Sequence, residues 1–208
     1  MGTTYTLYFS PGACSRVAMT ALEAANAVYD ARLVRLAEGE QLREPFRSQN
    51  PKGKVPVLVT ADGVLTELPA IAQYLHARFP DAGLLSDGSA MDRATSLAWM
   101  AWCASTLHPA LYRIRMSHRI HPDAAQHGPI RQAAAAELTD QLQVACLPLS
   151  KGDWLMGQQW CLADAYLYWV IERALASNAN VVLDPVIQAW RERCAEWPAW
   201  TRAIQREA

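Results

Sequence analysis

The stretch Thr4-Tyr5-Thr6-Leu7-Tyr8-Phe9-Ser10-Pro11-Gly12-Ala13-Cys14-Ser15-Arg16 decides how the rest of this chain is read. Its Tyr and Leu residues favour a short strand, Pro11-Gly12 turns the chain, and Arg16 to Glu23 then follows as a helical run. A cysteine therefore stands at a helix start. The first N–H groups of a helix have no intrahelical partners, and with the helix dipole they favour negative charge, so this placement predicts a stabilised thiolate at Cys14. The alternative is a small buried residue in an ordinary strand-to-helix turn. The stretch by itself leaves both open.

Composition narrows the class. A chain of 208 residues suits one large domain or two small ones. The net charge of -1 gives no electrostatic pull toward nucleic acid or acidic membranes, so neither is expected as a partner. The N-terminus lacks a basic segment followed by an apolar stretch, and no apolar run is long enough to span a bilayer, so a cytoplasmic location is expected. The five cysteines, Cys14, Cys103, Cys146, Cys161 and Cys194, are scattered without a C-x-x-C, which argues for reduced thiols over a disulfide framework or a zinc site.

The first part of the chain alternates strand and helix. Tyr29 to Val34 alternates polar and apolar residues as a half-buried strand does. Glu38 to Gln49, interrupted by Pro45, predicts a short or kinked helix before the turn Asn50-Pro51-Lys52-Gly53. Val55 to Val59 and Val64-Leu65 flank Asp62-Gly63, the signal of an antiparallel hairpin. Leu68, Ile71, Ala72, Leu75 and Phe79 recur at helical spacing, with Pro80 and Gly83 closing that helix. The order is βαβαββα. From Ser86-Asp87-Gly88-Ser89 onward strand signals stop, and helices are expected along a run through Trp99, Trp102, Leu107, Leu111 and Ile114, then over 130–147, 163–177, 185–194 and 198–207. The expected division is an α/β domain over 1–81, a linker over 82–90 and an all-helical domain over 91–208.

With that order in place, several motifs resemble the cytosolic glutathione transferases, most closely the bacterial beta class. They are Y-F-S-P-G-A-C-S at Tyr8 to Ser15, N-P-K-G-K-V-P at Asn50 to Pro56, T-E-L-P-A-I at Thr66 to Ile71, Leu107-His108, and L-A-D-A at Leu162 to Ala165. Each is weak alone, but five in family order over nearly the whole chain are specific. The resemblance implies a thioredoxin-like glutathione-binding domain followed by an all-α domain. It implies a homodimer that takes glutathione as co-substrate with no tightly bound cofactor, and that joins the glutathione thiolate to small apolar electrophiles.

The same resemblance assigns roles. Val55-Pro56 is expected to be cis, with the Val55 backbone pairing with the cysteinyl unit of glutathione as an added strand would. Glu67 would receive the ammonium of the γ-glutamyl group, and Leu68 stands where relatives carry Ser or Gly, so only its amide remains for the carboxylate. Lys54 replaces a common Gln and offers compensating charge. Cys14 and His108 would act at the sulfur, with Ser15 contributing its amide or hydroxyl, and Pro109 would kink the helix at His108 and aim its ring. Relatives often place an asparagine at the position of Ala101, and Ser105, one turn further on, would take over part of that residue's role toward glutathione. Phe9, Leu111, Tyr112, Tyr166 and Trp169 are candidates for the pocket of the second substrate, although each also suits a plain core.

Other charged groups carry less. His118, His121, His127 and Asp123 have loose metal-like spacing but read as a solvated loop, so no metal is expected. Arg16, Arg113, Arg115 and Arg119 read as solvated charges. Two alternatives to the transferase reading stay open: a glutathione-dependent thiol transferase or disulfide reductase acting through Cys14, and a non-catalytic binding protein for apolar ligands. The sequence also generates a stability prediction. Cys161 stands at the helix-cap position before Leu162-Ala163-Asp164, and sulfur is a poor acceptor. Cys161→Ser or Cys161→Thr should therefore raise stability by about 0.5 to 1 kcal/mol in chemical denaturation, unless Cys161 is buried among apolar neighbours.

Overall fold

The computed structural model describes residues 5–208, so Thr4 and the first three residues of the expected N-terminal domain lie outside the described residues. The elements run β1 (Tyr5–Phe9), α1 (Ser15–Ala24), β2 (Tyr29–Leu33), α2 (Phe46–Gln49), β3 (Val57–Thr60), β4 (Gly63–Thr66) and α3 (Leu68–Arg78). The helices α4 (Ala90–Trp102), α5 (His108–Arg115), α6 (His127–Lys151), α7 (Leu162–Leu175), α8 (Pro185–Ala195) and α9 (Pro198–Glu207) follow.

The sheet order is β2-β1-β3-β4, with β1 parallel to β2 and the other neighbours antiparallel. Leu7 pairs with Leu58 and Leu58 with Leu65, and both Leu7 and Leu58 are fully buried. The β3–β4 turn is Ala61-Asp62, and Gly63 opens β4 at φ +141°, a conformation that suits glycine. Val34, Phe46, Val55 and Val57 form an apolar cluster against which Tyr8 and Ala13 pack. That cluster ties the Cys14 turn to the segment before β3.

The region between β2 and β3 differs from the expected kinked helix. It consists of two 3₁₀ turns, Leu36–Glu38 and Glu40–Leu42, followed by the four-residue α2. Gly39, in the left-handed region at φ +73°, separates the first two, and the Glu44-Pro45 peptide is cis.

By packing, the chain divides into two compact units, 5–87 with 195–208 and 88–194. The last helix thus belongs with the sheet unit, whereas chain order assigned it to the helical half. The physical cause is charge pairing with α1. Arg16 Nε donates to Glu207 Oε2 at 2.9 Å and the Gly12 N–H donates to the same oxygen at 3.0 Å. Arg202 and Arg206 both pair with Glu23, and the Arg16 guanidinium lies over the Trp200 ring at 5.4 Å. Arg16 is therefore not the solvated charge that its sequence context implied.

In the helical unit, Ser89 caps α4: its Oγ accepts from the Asp92 N–H while its own N–H donates to Asp92 Oδ2. Between α4 and α5 the chain passes through a π-helical turn, Cys103–Leu107, directly ahead of His108. Proline has no N–H, and its ring clashes with the carbonyl four residues back, so a widened turn ahead of Pro109 lets the helix continue. α6 runs past the expected end at Leu147 and includes Pro148.

The start of α7 is built on Asp164, whose side chain is wholly buried. Its Oδ1 accepts from the Leu155 N–H and from Trp190 Nε1, each at 3.0 Å, and its Oδ2 accepts from the Cys161 N–H at 3.0 Å. The Cys161 thiol donates to Oδ2 at 3.5 Å and is itself buried. Burial pushes the Asp164 carboxyl from 3.8 up to about 6, against the pull of its donors. The native state then holds a proton that the unfolded chain has lost, so this group's stabilising contribution is full below pH ~4 and is lost as pH rises through ~6. A carbon-13 carboxyl titration should show a native midpoint near 6; a midpoint near 4 would remove the effect. Asp164→Ala should cost about 3 to 5 kcal/mol in urea denaturation, because three buried donors lose their acceptor.

Candidate active site

The site residues expected from the sequence fall into two groups, one in each unit. In the sheet unit, the Ser10 N–H donates to Ser15 Oγ at 3.1 Å and that hydroxyl donates back to the Ser10 carbonyl at 3.2 Å. This closes the turn that presents Cys14. The Ser15 hydroxyl is thereby committed, leaving its amide as the group available for a ligand.

Cys14 caps α1, and its Sγ donates to the Val55 carbonyl at 3.5 Å, so the helix start meets the residue before the cis Val55-Pro56 bond. The cis bond is as expected; the thiolate is not. Part of Cys14 reaches the surface, yet the protein around the sulfur desolvates it and pushes the thiol from 9.0 up to about 12. Glu67 adds to the rise, while the Cys14 and Ser15 amides and the Lys54 charge oppose it. A rise of that size disfavours the thiolate by roughly 4 kcal/mol, whereas a helix N-terminus offers about 0.3 to 2 kcal/mol. Desolvation wins, and Cys14 is a neutral thiol near pH 7.

Glu67 sits at φ +70°, a left-handed backbone that a non-glycine residue rarely adopts and that clusters at functional sites. Its carboxylate pairs with Lys52 Nζ at 2.5 Å, and Lys52 also donates to Thr66 Oγ1 at 2.7 Å. Sequence reasoning missed Lys52. The Asn50-Pro51-Lys52-Gly53 turn was visible, but only the folded hairpin brings it to Glu67. Leu68 opens α3 as a buried residue, Lys54 is exposed, and Phe9 is buried at the end of β1.

In the helical unit, His108 Nδ1 lies 2.8 Å from Tyr166 Oη, and its ring meets Trp169 edge-on at 4.7 Å between centroids. Tyr166 and Trp169, the two pocket candidates farthest along the chain, are thus the ones joined to His108. The signal in the sequence was their three-residue spacing on the helix that Asp164 opens. Leu111 is buried, Tyr112 is 41% exposed, and the Ser105 hydroxyl donates to the Ala101 carbonyl at 2.8 Å. Arg113 pairs with Glu137. The loop histidines bond locally, with His127 Nε2 on the His121 carbonyl, and among the described residues no three His, Cys, Asp or Glu side chains form a group able to hold a metal ion. Among the described residues no helix is long and apolar enough to cross a membrane.

Comparison with known proteins defines the class. The family model "Glutathione S-transferase, N-terminal domain" matches residues 3–77, and "Glutathione S-transferase, C-terminal domain" matches 103–198. The chain belongs to the glutathione S-transferase family. It is 31% identical to glutathione S-transferase GstA of Escherichia coli O157:H7, over 97% of this chain and 98% of that one. It is 28% identical to the disulfide-bond oxidoreductase YfcG of Escherichia coli K12, over 95% and 93%. Among solved structures, a glutathione S-transferase from Xylella fastidiosa superposes with a TM-score of 0.90 at 28% identity, covering 98% of each chain. A sphingomonad glutathione S-transferase complexed with glutathione gives 0.84 at 29%, covering 97% and 98%. A bacterial beta-class enzyme of Sphingomonas chungbukensis gives 0.82 at 27%, covering 98% of each.

The protonated state of Cys14 has a direct readout. Alkylation of Cys14 by iodoacetamide, followed by mass spectrometry of the modified peptide, should be at least about tenfold slower at pH ~7.5 than that of free cysteine, whose pKa is about 8.5. A Cys14 that reacts faster than free cysteine would show that the helix start, and not desolvation, sets its pKa.

Proposed function

We propose that this chain is a glutathione transferase that binds glutathione on its sheet unit and joins the ligand sulfur to a small apolar electrophile. The observation that carries the reading is the juxtaposition of the Cys14 thiol with the Val55 carbonyl, in the same unit as the strained Glu67. The glutathione complex of the sphingomonad relative supports the choice of ligand.

Each residue then has a task. A neutral Cys14 is a hydrogen-bond donor, suited to holding the thiolate that the ligand supplies. Val55, with Pro56 after it, offers its backbone to the cysteinyl unit. Glu67 accepts the ligand's ammonium where it now holds that of Lys52. The Leu68 amide, at the positive end of α3, takes the γ-glutamyl carboxylate, with Lys54 adding charge. In the helical unit the ring of His108, oriented by Tyr166, is a further hydrogen-bonding group, and Tyr112 is the exposed aromatic candidate there, while Leu111 and Trp169 are buried in that unit as Phe9 is in the sheet unit. In this reading the protein works as a cytoplasmic homodimer with a detoxifying role. Catalysis consists of thiolate stabilisation and positioning, and no tightly bound cofactor takes part.

The disulfide reading is kept in the test because of the oxidoreductase relative. Exchange requires the thiolate, however, and with a pKa of about 12 its fraction at pH 7 is on the order of 10⁻⁵. Conjugation of 1-chloro-2,4-dinitrobenzene and reduction of a glutathione mixed disulfide should be assayed in parallel. Conjugation is expected, falling about tenfold to a hundredfold in kcat/KM in Cys14→Ala as one charge-assisted hydrogen bond is removed. His108→Ala should raise the pH at which bound glutathione ionises, followed by thiolate absorbance. Disulfide reduction without conjugation would replace the proposal by the reductase reading, and neither activity would leave a binding protein.

A further inference from the structure

The terminal helix of the sheet unit places a carboxylate where helix physics does not favour one. Glu207 is the last residue of α9, and the negative end of the helix dipole lies in that turn. Its side chain is nevertheless only 4% exposed. Oε2 accepts from the Gly12 N–H at 3.0 Å and from Arg16 Nε at 2.9 Å, and it pairs with Arg16 Nη2 as well. Oε1 is buried and has no hydrogen-bond partner among the described residues. A buried acid with one oxygen unfilled is a poor contribution to stability, so its placement needs a reason in the groups that the other oxygen holds.

Those groups belong to the turn that carries Cys14. The ends of the turn are closed from within, by the bonds between Ser10 and Ser15 and by the Ala13 N–H on the Ser10 carbonyl at 3.0 Å. Gly12, inside the turn, has φ +69°. Glycine enters and leaves that region at little cost, so a bond from outside the turn is needed to hold it in one conformation. Glu207 supplies such a bond from 195 residues away. Its second attachment, Arg16, lies in the first turn of α1, so one carboxylate oxygen grips the chain on both sides of the cysteine. Between the two attachments stands Cys14, with its Sγ 3.5 Å from the Val55 carbonyl.

We propose that Glu207 is a positioning residue for Cys14: by gripping Gly12 and Arg16 it holds the thiol on the Val55 carbonyl and keeps water from the sulfur. Released from that grip, the turn lets the sulfur reach solvent, where a thiol ionises more readily than a desolvated one. That the thiol so placed serves the ligand's sulfur rests on the transferase reading; the placement itself does not.

The test is alkylation of Cys14 by iodoacetamide in the intact protein at pH ~7.5, measured by mass spectrometry relative to alkylation of Cys146, which is also partly exposed and lies on α6. The ratio corrects for general loosening. In Glu207→Ala it should rise at least about fivefold, whereas in Glu207→Gln, whose amide oxygen still accepts from the Gly12 N–H, it should stay within about twofold of the wild type. Arg202→Gln is the control for the docking of α9, because it removes the bonds to Glu23 and leaves the turn alone. It too should stay within about twofold. An unchanged ratio in Glu207→Ala, or an equal rise in Glu207→Gln or Arg202→Gln, would overturn the proposal. If Glu207→Ala does not fold, hydrogen exchange in the wild type decides. The Gly12 amide should then exchange at least about tenfold more slowly than an unstructured glycine amide, and exchange at the unstructured rate would overturn the proposal as well. Alkylation needs neither glutathione nor turnover. A rise in Glu207→Ala without conjugation by the wild type upholds the positioning role and rejects the transferase reading, and conjugation with an unchanged ratio does the reverse.

Discussion

A buried carboxylate holds the helical unit together. Asp164 takes hydrogen bonds from the loop before α7 through Leu155, from the helix cap through Cys161, and from α8 through Trp190. An ionised acid out of water is tolerated only when its lone pairs are filled, so these three elements must come together for any of them to be stable. α7 then places Tyr166 and Trp169 against His108 at fixed heights from an anchored start. The residues that give the unit its chemistry depend on a residue that takes no part in it.

In the sheet unit the opposing effects fall at Cys14. The helix start and the Lys54 charge favour a thiolate, while desolvation and Glu67 oppose it, and desolvation is the larger. The outcome is a donor held at the Val55 carbonyl. Such an arrangement suits a ligand that brings its own ionisable thiol better than one that needs the protein's cysteine as nucleophile. The terminal helix contributes to the same turn, since Glu207 binds both the Gly12 amide and Arg16.

Much of this was legible in the residue order. The βαβαββα alternation, the hairpin at Asp62-Gly63 and the helix spacing from Leu68 onward follow from local propensity and period, which act over a few residues. Cys14, Val55-Pro56, Glu67 and His108 were legible because each belongs to a short motif. What misled was the loop before β3, where Gly39 and Pro45 break a polar segment into pieces too short to show a period, and α9, whose helical pattern was plain but whose partner was not.

The sequence by itself determined the elements, their order, the family and the identity of the candidate site residues, because these rest on local chemistry and recurring motifs. Tertiary structure alone decided two things: that Lys52 occupies Glu67 and that Tyr166 orients His108. It also decided the protonation of Cys14. Each of these is a sum over groups distant in the chain, and burial and charge depend on which atoms exclude water from a point in space, which residue order does not state.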